Sequence, residues 1–185
     1  MTTVKQLILK SESIELGNDD ILDMLNNKTN LLAYEDLEKY SNIDEVLGPY
    51  GACIILYQRT DNSGHWACIF RTKNDKNVLN FFDPYGIQMD GEIKKSEYQL
   101  RVHDGQIVPH LSDLISRSRY RVIQNTHQYQ QYKNNINDCG RHCVVRLIFR
   151  NLSPVEYYKF IVGSFQDMNP DDTVSMLTVS MSLTK

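Results

Sequence analysis

Cys139 stands where a thiol can become a nucleophile. The triplet Asp138-Cys139-Gly140 opens a run, 139–152, in which Cys143, Val144, Leu147 and Ile148 recur at helical spacing. At the first turn of such a helix, unpaired N–H groups and the positive end of the helix dipole favour thiolate over thiol. Asp138 occupies the N-cap position. Gly140 has no side chain, so a substrate carbonyl would be free to approach the sulfur and the neighbouring amides. The competing expectation for any free cysteine is burial as a small apolar residue; the helix-start position is what sets Cys139 apart from Cys53 and Cys68, which read as strand core.

A thiolate nucleophile needs a base, and the base needs a group to orient it. His65 opens an apolar run beside a glycine turn, in Gly64-His65-Trp66, at the rim of a sheet. Strand alternation puts His65, Ala67 and Ile69 on one face and Trp66, Cys68 and Phe70 on the other. Asp83 ends the run NFFDPYG, where Pro84 stops the strand and leaves the carboxylate at its tip. Spacing alone does not bring Asp83 to His65, and a turn aspartate bonding its own backbone is the plain alternative. Upstream of the cysteine, YQQY (129–132) supplies Gln130 and Gln131. A side-chain amide there, with the backbone N–H of Cys139, would hold the oxyanion of a tetrahedral intermediate.

Other reactive side chains have simpler readings. Cys139, His142 and Cys143 lie close in sequence, but no second ligand pair with zinc spacing accompanies them, so neither metal nor other cofactor is expected. Arg141 and Arg146 read as surface or loop contacts. Asp171 and Asp172 read as caps of a terminal helix.

The elements that must position this set read as follows. Residues 1–48 are helical in pattern: Asn18-Asp19-Asp20 caps a segment carrying Ile21, Leu22 and Leu25, and 31–40 places Leu31, Tyr34 and Leu37 on one stripe. From residue 49 the texture changes. Runs at 51–58, 65–72 and 78–86, separated by the turn-rich 61–64 and the polar 73–77, form an antiparallel meander. The polar stretch 87–110 has no assigned element; 111–118 is helical, 120–124 is a strand, and Pro154 suits the first turn of a helix over 154–162. The fold class is α+β, with one domain over 1–185: an N-terminal helical segment, 1–48, and a core, 49–185.

The chain has 185 residues, 20 basic and 23 acidic, for a net charge of −3, which gives no global field for nucleic acid. Four cysteines are too few for a disulfide scaffold, and no apolar run is long enough to span a bilayer. The expectation is a soluble protein, not secreted, from a reducing compartment.

GHW (64–66), FFDPYG (81–86), YQQ (129–131) and NDCGRHCVVRL (137–147), in that order, resemble the adenovirus-type and SUMO-protease-type cysteine peptidases. Within that group, CGRHCVVRL, LLAYEDL (31–37) and MNPDDTVSMLT (168–178) are most similar to capsid-maturation proteases of virophages, large DNA viruses and related mobile elements. The resemblance implies a papain-like α+β fold, with a mainly antiparallel sheet packed against a central helix that starts at Cys139. It further implies His65 as base, Asp83 as its orienter, and a glutamine as oxyanion donor. The positions where the family usually carries that glutamine hold Lys133 and Tyr132. Gln130 is preferred because Tyr-Gln resembles the subgroup pattern, with Gln131 next. Trp66 would flank the substrate tail beside Gly140 and admit little beyond glycine.

The implied substrates are capsid and other virion precursors, cleaved in the virion or in the cytoplasmic viral factory. Trp66 is the sole tryptophan, whereas SUMO-directed members carry another upstream; an isopeptidase acting on SUMO or ubiquitin conjugates is the alternative. An acyltransferase or a non-catalytic module for Gly-rich tails would use related residues. Adenovirus-type members use DNA and a peptide as activators, for which this charge gives no support.

Overall fold

In a computed structural model, residues 3–60, 63–72, 74–95, 98–103, 105–163, 165 and 167–183 are described. Five strands form one sheet in the order β1 (Asn30–Ala33), β2 (Ala52–Thr60), β3 (Ser63–Arg71), β4 (Val78–Phe82) and β5 (Arg121–Gln124). The three apolar runs form the expected antiparallel meander, β2–β3–β4, while β1 and β5 flank it in parallel. In the turns between these runs, residues 61, 62 and 73 lie outside the described residues.

The helices are α1 (Val4–Glu12), α2 (Asn18–Met24), α3 (Ile43–Leu47), α4 (Tyr98–His103), α5 (His110–Ser116), α6 (Cys139–Ile148), α7 (Pro154–Gly163) and α8 (Pro170–Leu183). The sheet is covered on both faces, in the alternation expected along β3. Trp66, Cys68 and Phe70 pack with Cys143, Val144 and Val145 of α6, whereas Ala67 and Ile69 pack with Leu47, Leu111 and Leu114. Cys53 and Cys68 are fully buried core residues, as expected.

The segment 31–40 departs from its expected helix. Asn30–Ala33 is a strand paired with β2, and only Tyr34–Lys39 coils, as a 3₁₀ turn. Parallel pairing with β2 and the Asn30 amide donating to the carbonyl of Val46 (2.8 Å) override the local periodicity. Tyr34 and Leu37 still reach the core, from the turn. At the start of α2 the N-cap is Gly17, just before the expected 18–20, which form the first turn; from there Asp20 accepts the backbone N–H of Gly17 at 3.0 Å. The unassigned stretch 87–110 holds a 3₁₀ turn, Gly91–Lys95, and α4.

α6 is buried along 139–147, not on one face alone; the exception is Ile148, expected in the core but 42% exposed. Arg141 and Arg146, expected at the surface, are therefore inside. Arg141 donates to the carbonyl of Ser11 and to the Thr178 hydroxyl. Arg146 lies over the rings of Phe70 and Tyr157, 4.7 and 4.6 Å from their centroids. Its fork also donates to the carbonyls of Phe149 and Leu152.

Asp138 precedes α6, but its side chain makes no cap hydrogen bond. It accepts the Ser175 hydroxyl of α8 at 3.0 Å and lies 3.3 Å from Arg141 Nε. At the start of α8, Asn169 accepts the N–H groups of Asp171 and Asp172, and Asp172 accepts that of Asn169. Asp172 thus has the expected capping role. Asp171 has a different one.

Candidate active site

Cys139 is the first residue of α6, and α6 packs against β3, which carries His65 near its start. The helix is held there from outside. Asn137, two residues before the cysteine, donates its backbone N–H to the carbonyl of Glu12 at 2.7 Å and its amide to that of Ser13. The sulfur end of α6 is therefore fixed by the end of α1.

His65 is 1% exposed and Asp83 not exposed at all; their side chains meet at 2.8 Å between Nε2 and Oδ2. Asp83 is itself oriented. Its Oδ1 accepts the N–H of Tyr85 at 2.7 Å, and the Asn125 amide brackets its backbone. Because Nε2 is committed to Asp83, Nδ1 is the nitrogen left for the Cys139 thiol, whose hydrogen bond is among the influences on the ring. Burial works against the imidazolium, but the charge and hydrogen bond of Asp83, with the help of Cys139, push His65 up to about 10. At neutral pH the ring is a cation beside a sulfur.

Trp66 is both core and cleft. It is 6% exposed and packs in the cluster under α6, while an edge lines a cleft of about 230 Å³ that also holds Cys139 and Gly64. Gly140 is tight against it. A Cβ on Gly140 would lie 3.2 Å from Leu16 Cβ and 3.3 Å from Trp66 Cδ1.

The two glutamines part company. Gln130 is 1% exposed; its Nε2 donates to the carbonyl of Ile136 (3.3 Å), in the segment leading to Cys139, and its Oε1 is buried without a hydrogen-bond partner among the described residues. Gln131 turns the other way, its amide donating to Asp171 at 3.1 Å.

Several groups around the site escape sequence reasoning. Tyr85 stacks on the His65 ring with centroids 4.9 Å apart, and Tyr132 stacks on Tyr85 at 4.2 Å. Tyr85 sits inside FFDPYG, so the signal was present but carried no role. Glu92, buried in the unassigned stretch, places Oε1 4.0 Å from His65 Nε2 while its Oε2 accepts Arg59 Nε at 3.1 Å. Among the described residues, His65, Asp83 and Glu92 are the group whose donor atoms lie close enough to share a metal ion. Their hydrogen bond and the Arg59 pair give these groups partners of another kind. His142, not exposed, bonds Asp171 at 2.9 Å.

No protein-family profile matches the chain. It is 38% identical over 170 residues to "Uncharacterized protein V9" of Sputnik virophage, covering 91% of this chain and 96% of that one. The chain belongs to the family of that virophage protein. Among solved structures it is similar to the ASFV pS273R protease, with a TM-score of 0.47, 13% identity, and coverage of 91% of this chain and 68% of that one. It is also similar to the C-terminal protease domain of Ulp1 in complex with SMT3, the yeast ortholog of SUMO. There the TM-score is 0.42 at 12% identity, covering 96% of this chain and 79% of that one. The expected resemblance to proteins of virophages is thus found in that relative. Both structural likenesses are distant. Among the described residues, no helix is long and apolar enough to cross a membrane.

Proposed function

We propose that the chain is a cysteine endopeptidase that cleaves viral capsid or other virion precursors after small residues. The observation that carries this reading is the line Cys139–His65–Asp83, assembled at the start of a buried helix and the end of a sheet. The imidazolium of His65 holds a thiolate on Cys139. The thiolate attacks the scissile carbonyl carbon, and the oxyanion takes the backbone N–H of Cys139 and Nε2 of Gln130. Gln130 is the donor of choice because its amide faces the segment before Cys139, whereas that of Gln131 is held by Asp171. His65 then gives its proton to the departing amine, leaving an acyl-enzyme. The neutral ring next takes a proton from water, whose oxygen attacks the acyl carbon and releases the acid and the restored thiolate.

Trp66 lines the cleft beside Cys139, and the preference for glycine on the acyl side of the bond is what the motif resemblance implies for a tryptophan in that place. Virion precursors are the proposed substrates because the relative is a virophage protein and the motifs resemble capsid-maturation enzymes. The site of action follows as the virion or the cytoplasmic viral factory.

The test is coexpression with candidate capsid precursors of the same virus, comparing wild type with Cys139→Ala. Processing by the wild type alone is expected; equal processing in both removes the assignment. A SUMO or ubiquitin conjugate cleaved in place of the precursor would move it to an isopeptidase. In a peptide library, glycine is expected before the scissile bond, and Trp66→Ala should broaden that preference.

A further inference from the structure

Asp171 is fully buried, yet its carboxylate is spent on three donors from two distant elements. Oδ1 meets His142 Nε2 at 2.9 Å, one helical turn beyond Cys139 on α6. Oδ2 accepts both the backbone N–H and the side-chain amide of Gln131, each at 3.1 Å. Asp171 is fixed in turn from its own side, since its N–H is held by Asn169 at the start of α8.

The other side of the glutamine loop is tied to the turn after Asp83. The N–H groups of Tyr129 and Gln130 both donate to the carbonyl of Pro84, at 2.8 and 3.0 Å. Gln130 therefore sits between two anchors, a backbone one next to the acid and a side-chain one on α8. This span contains no helix or strand of its own, so these bonds take the place of a regular ladder in fixing its backbone.

We infer that Asp171 is a positioning residue that clamps the Gln130–Gln131 loop to the nucleophile helix, so that the Gln130 amide is in place when the oxyanion forms. The inference rests on the peptidase reading above and deepens it. Asp171 touches neither sulfur nor substrate. It acts through the Gln131 backbone and through His142, and a buried charged acceptor with three donors is a stiff anchor. Asn in its place has the same shape but a neutral oxygen and an NH₂ group that faces donors.

The test compares two rates in wild type, Asp171→Asn and Gln131→Ala. One is carbamidomethylation of Cys139 by iodoacetamide, iodide leaving, which needs the thiolate–imidazolium pair and no oxyanion donor. The other is kcat on a peptide ending in Gly-aminocoumarin amide, which needs both. Asp171→Asn should lower kcat by about 10- to 100-fold, short of losing an oxyanion donor outright, with KM and the alkylation rate little changed. Gln131→Ala keeps the backbone bond to Asp171 and should show the same pattern at roughly a few-fold loss, which decides the matter if Asp171→Asn does not fold. Alkylation and kcat falling together, or neither falling, overturns the clamp while leaving the peptidase intact. A wild type that is alkylated at Cys139 but hydrolyses no peptide or precursor overturns the peptidase reading, and the clamp with it.

Discussion

Asp83 reaches His65 along a diagonal of the sheet. The β3–β4 ladder pairs Cys68 with Phe82 and Ile69 with Phe81. Continued one step past the end of β4, it sets Asp83 opposite Ala67, two residues from His65 on the same face. Diagonal neighbours of this kind are within reach of long side chains, and Nε2 and Oδ2 meet at 2.8 Å. The turn that follows holds the carboxylate in place, its Oδ1 taking the N–H of Tyr85.

That contact makes Asp83→Asn informative twice over. Activity should fall by about 10²–10⁴-fold, the range for disabling the partner of a catalytic imidazole. The pH dependence of stability should change as well. His65 is raised from 6.5 to about 10 in the fold, so its contribution is complete below about 6.5 and is lost as pH rises through about 10. Urea midpoints of the wild type should therefore decline across that window, and those of Asp83→Asn should decline less. Parallel profiles would mean that Asp83 does not hold the imidazolium.

The meander and the α6 start were legible because their signals are local: apolar runs of strand length between turn residues, and Asp-Cys-Gly before an apolar helix. The His65–Asp83 contact was expected only through the motif resemblance, since spacing alone does not give the register by which β3 overruns β4. β1 was missed for a related reason. Leu31, Tyr34 and Leu37 have helical spacing, and only the pairing with β2 makes the first part a strand. Asp171 looked like a cap because the neighbouring Asn169 and Asp172 are one; its partners lie 29 and 40 residues away.

Gly86 tests how much of the site depends on one turn. Its φ is +73°, and a Cβ there would lie 2.8 Å from the carbonyl oxygen of Thr126 and 2.9 Å from that of His127. Both obstacles are backbone. The turn carries Asp83 on one side and packs against the loop leading to Gln130 on the other. Gly86→Ala should cost about 1–2 kcal/mol for the left-handed backbone alone, and more from the clash. A lowered melting temperature together with reduced kcat is the expected result; an unchanged melting temperature would show that the turn relaxes freely.

Arg146 was expected near the surface and is 3% exposed. Its guanidinium is sandwiched by Phe70 and Tyr157 and donates to two carbonyls just past the end of α6. Burial lowers its pKa, as it does for any cation removed from water. Lysine keeps the charge but loses the planar stack and the fork. Arg146→Lys should destabilise by about 1–3 kcal/mol, read as a shifted denaturant midpoint with the slope unchanged. A loss below about 0.5 kcal/mol, the usual range for surface changes, would place the side chain outside the core.

Asp138 carries a pH dependence whose source is burial, not pairing. Its carboxyl is pushed up to about 8, chiefly because it is removed from water, with Arg141 pulling the other way and Asp171 adding to the rise. The folded chain therefore holds a proton that the unfolded chain releases near 3.8. Between these values the native state binds more protons than the unfolded one, so stability declines as pH rises through the interval and is flat above it. Asp138→Asn keeps an acceptor oxygen for the Ser175 hydroxyl and cannot ionise. The variant should lose less stability than wild type between pH 5 and pH 8 by chemical denaturation. A wild type that instead gains stability over that range relative to Asp138→Asn would mean that Arg141 keeps Asp138 charged within the fold.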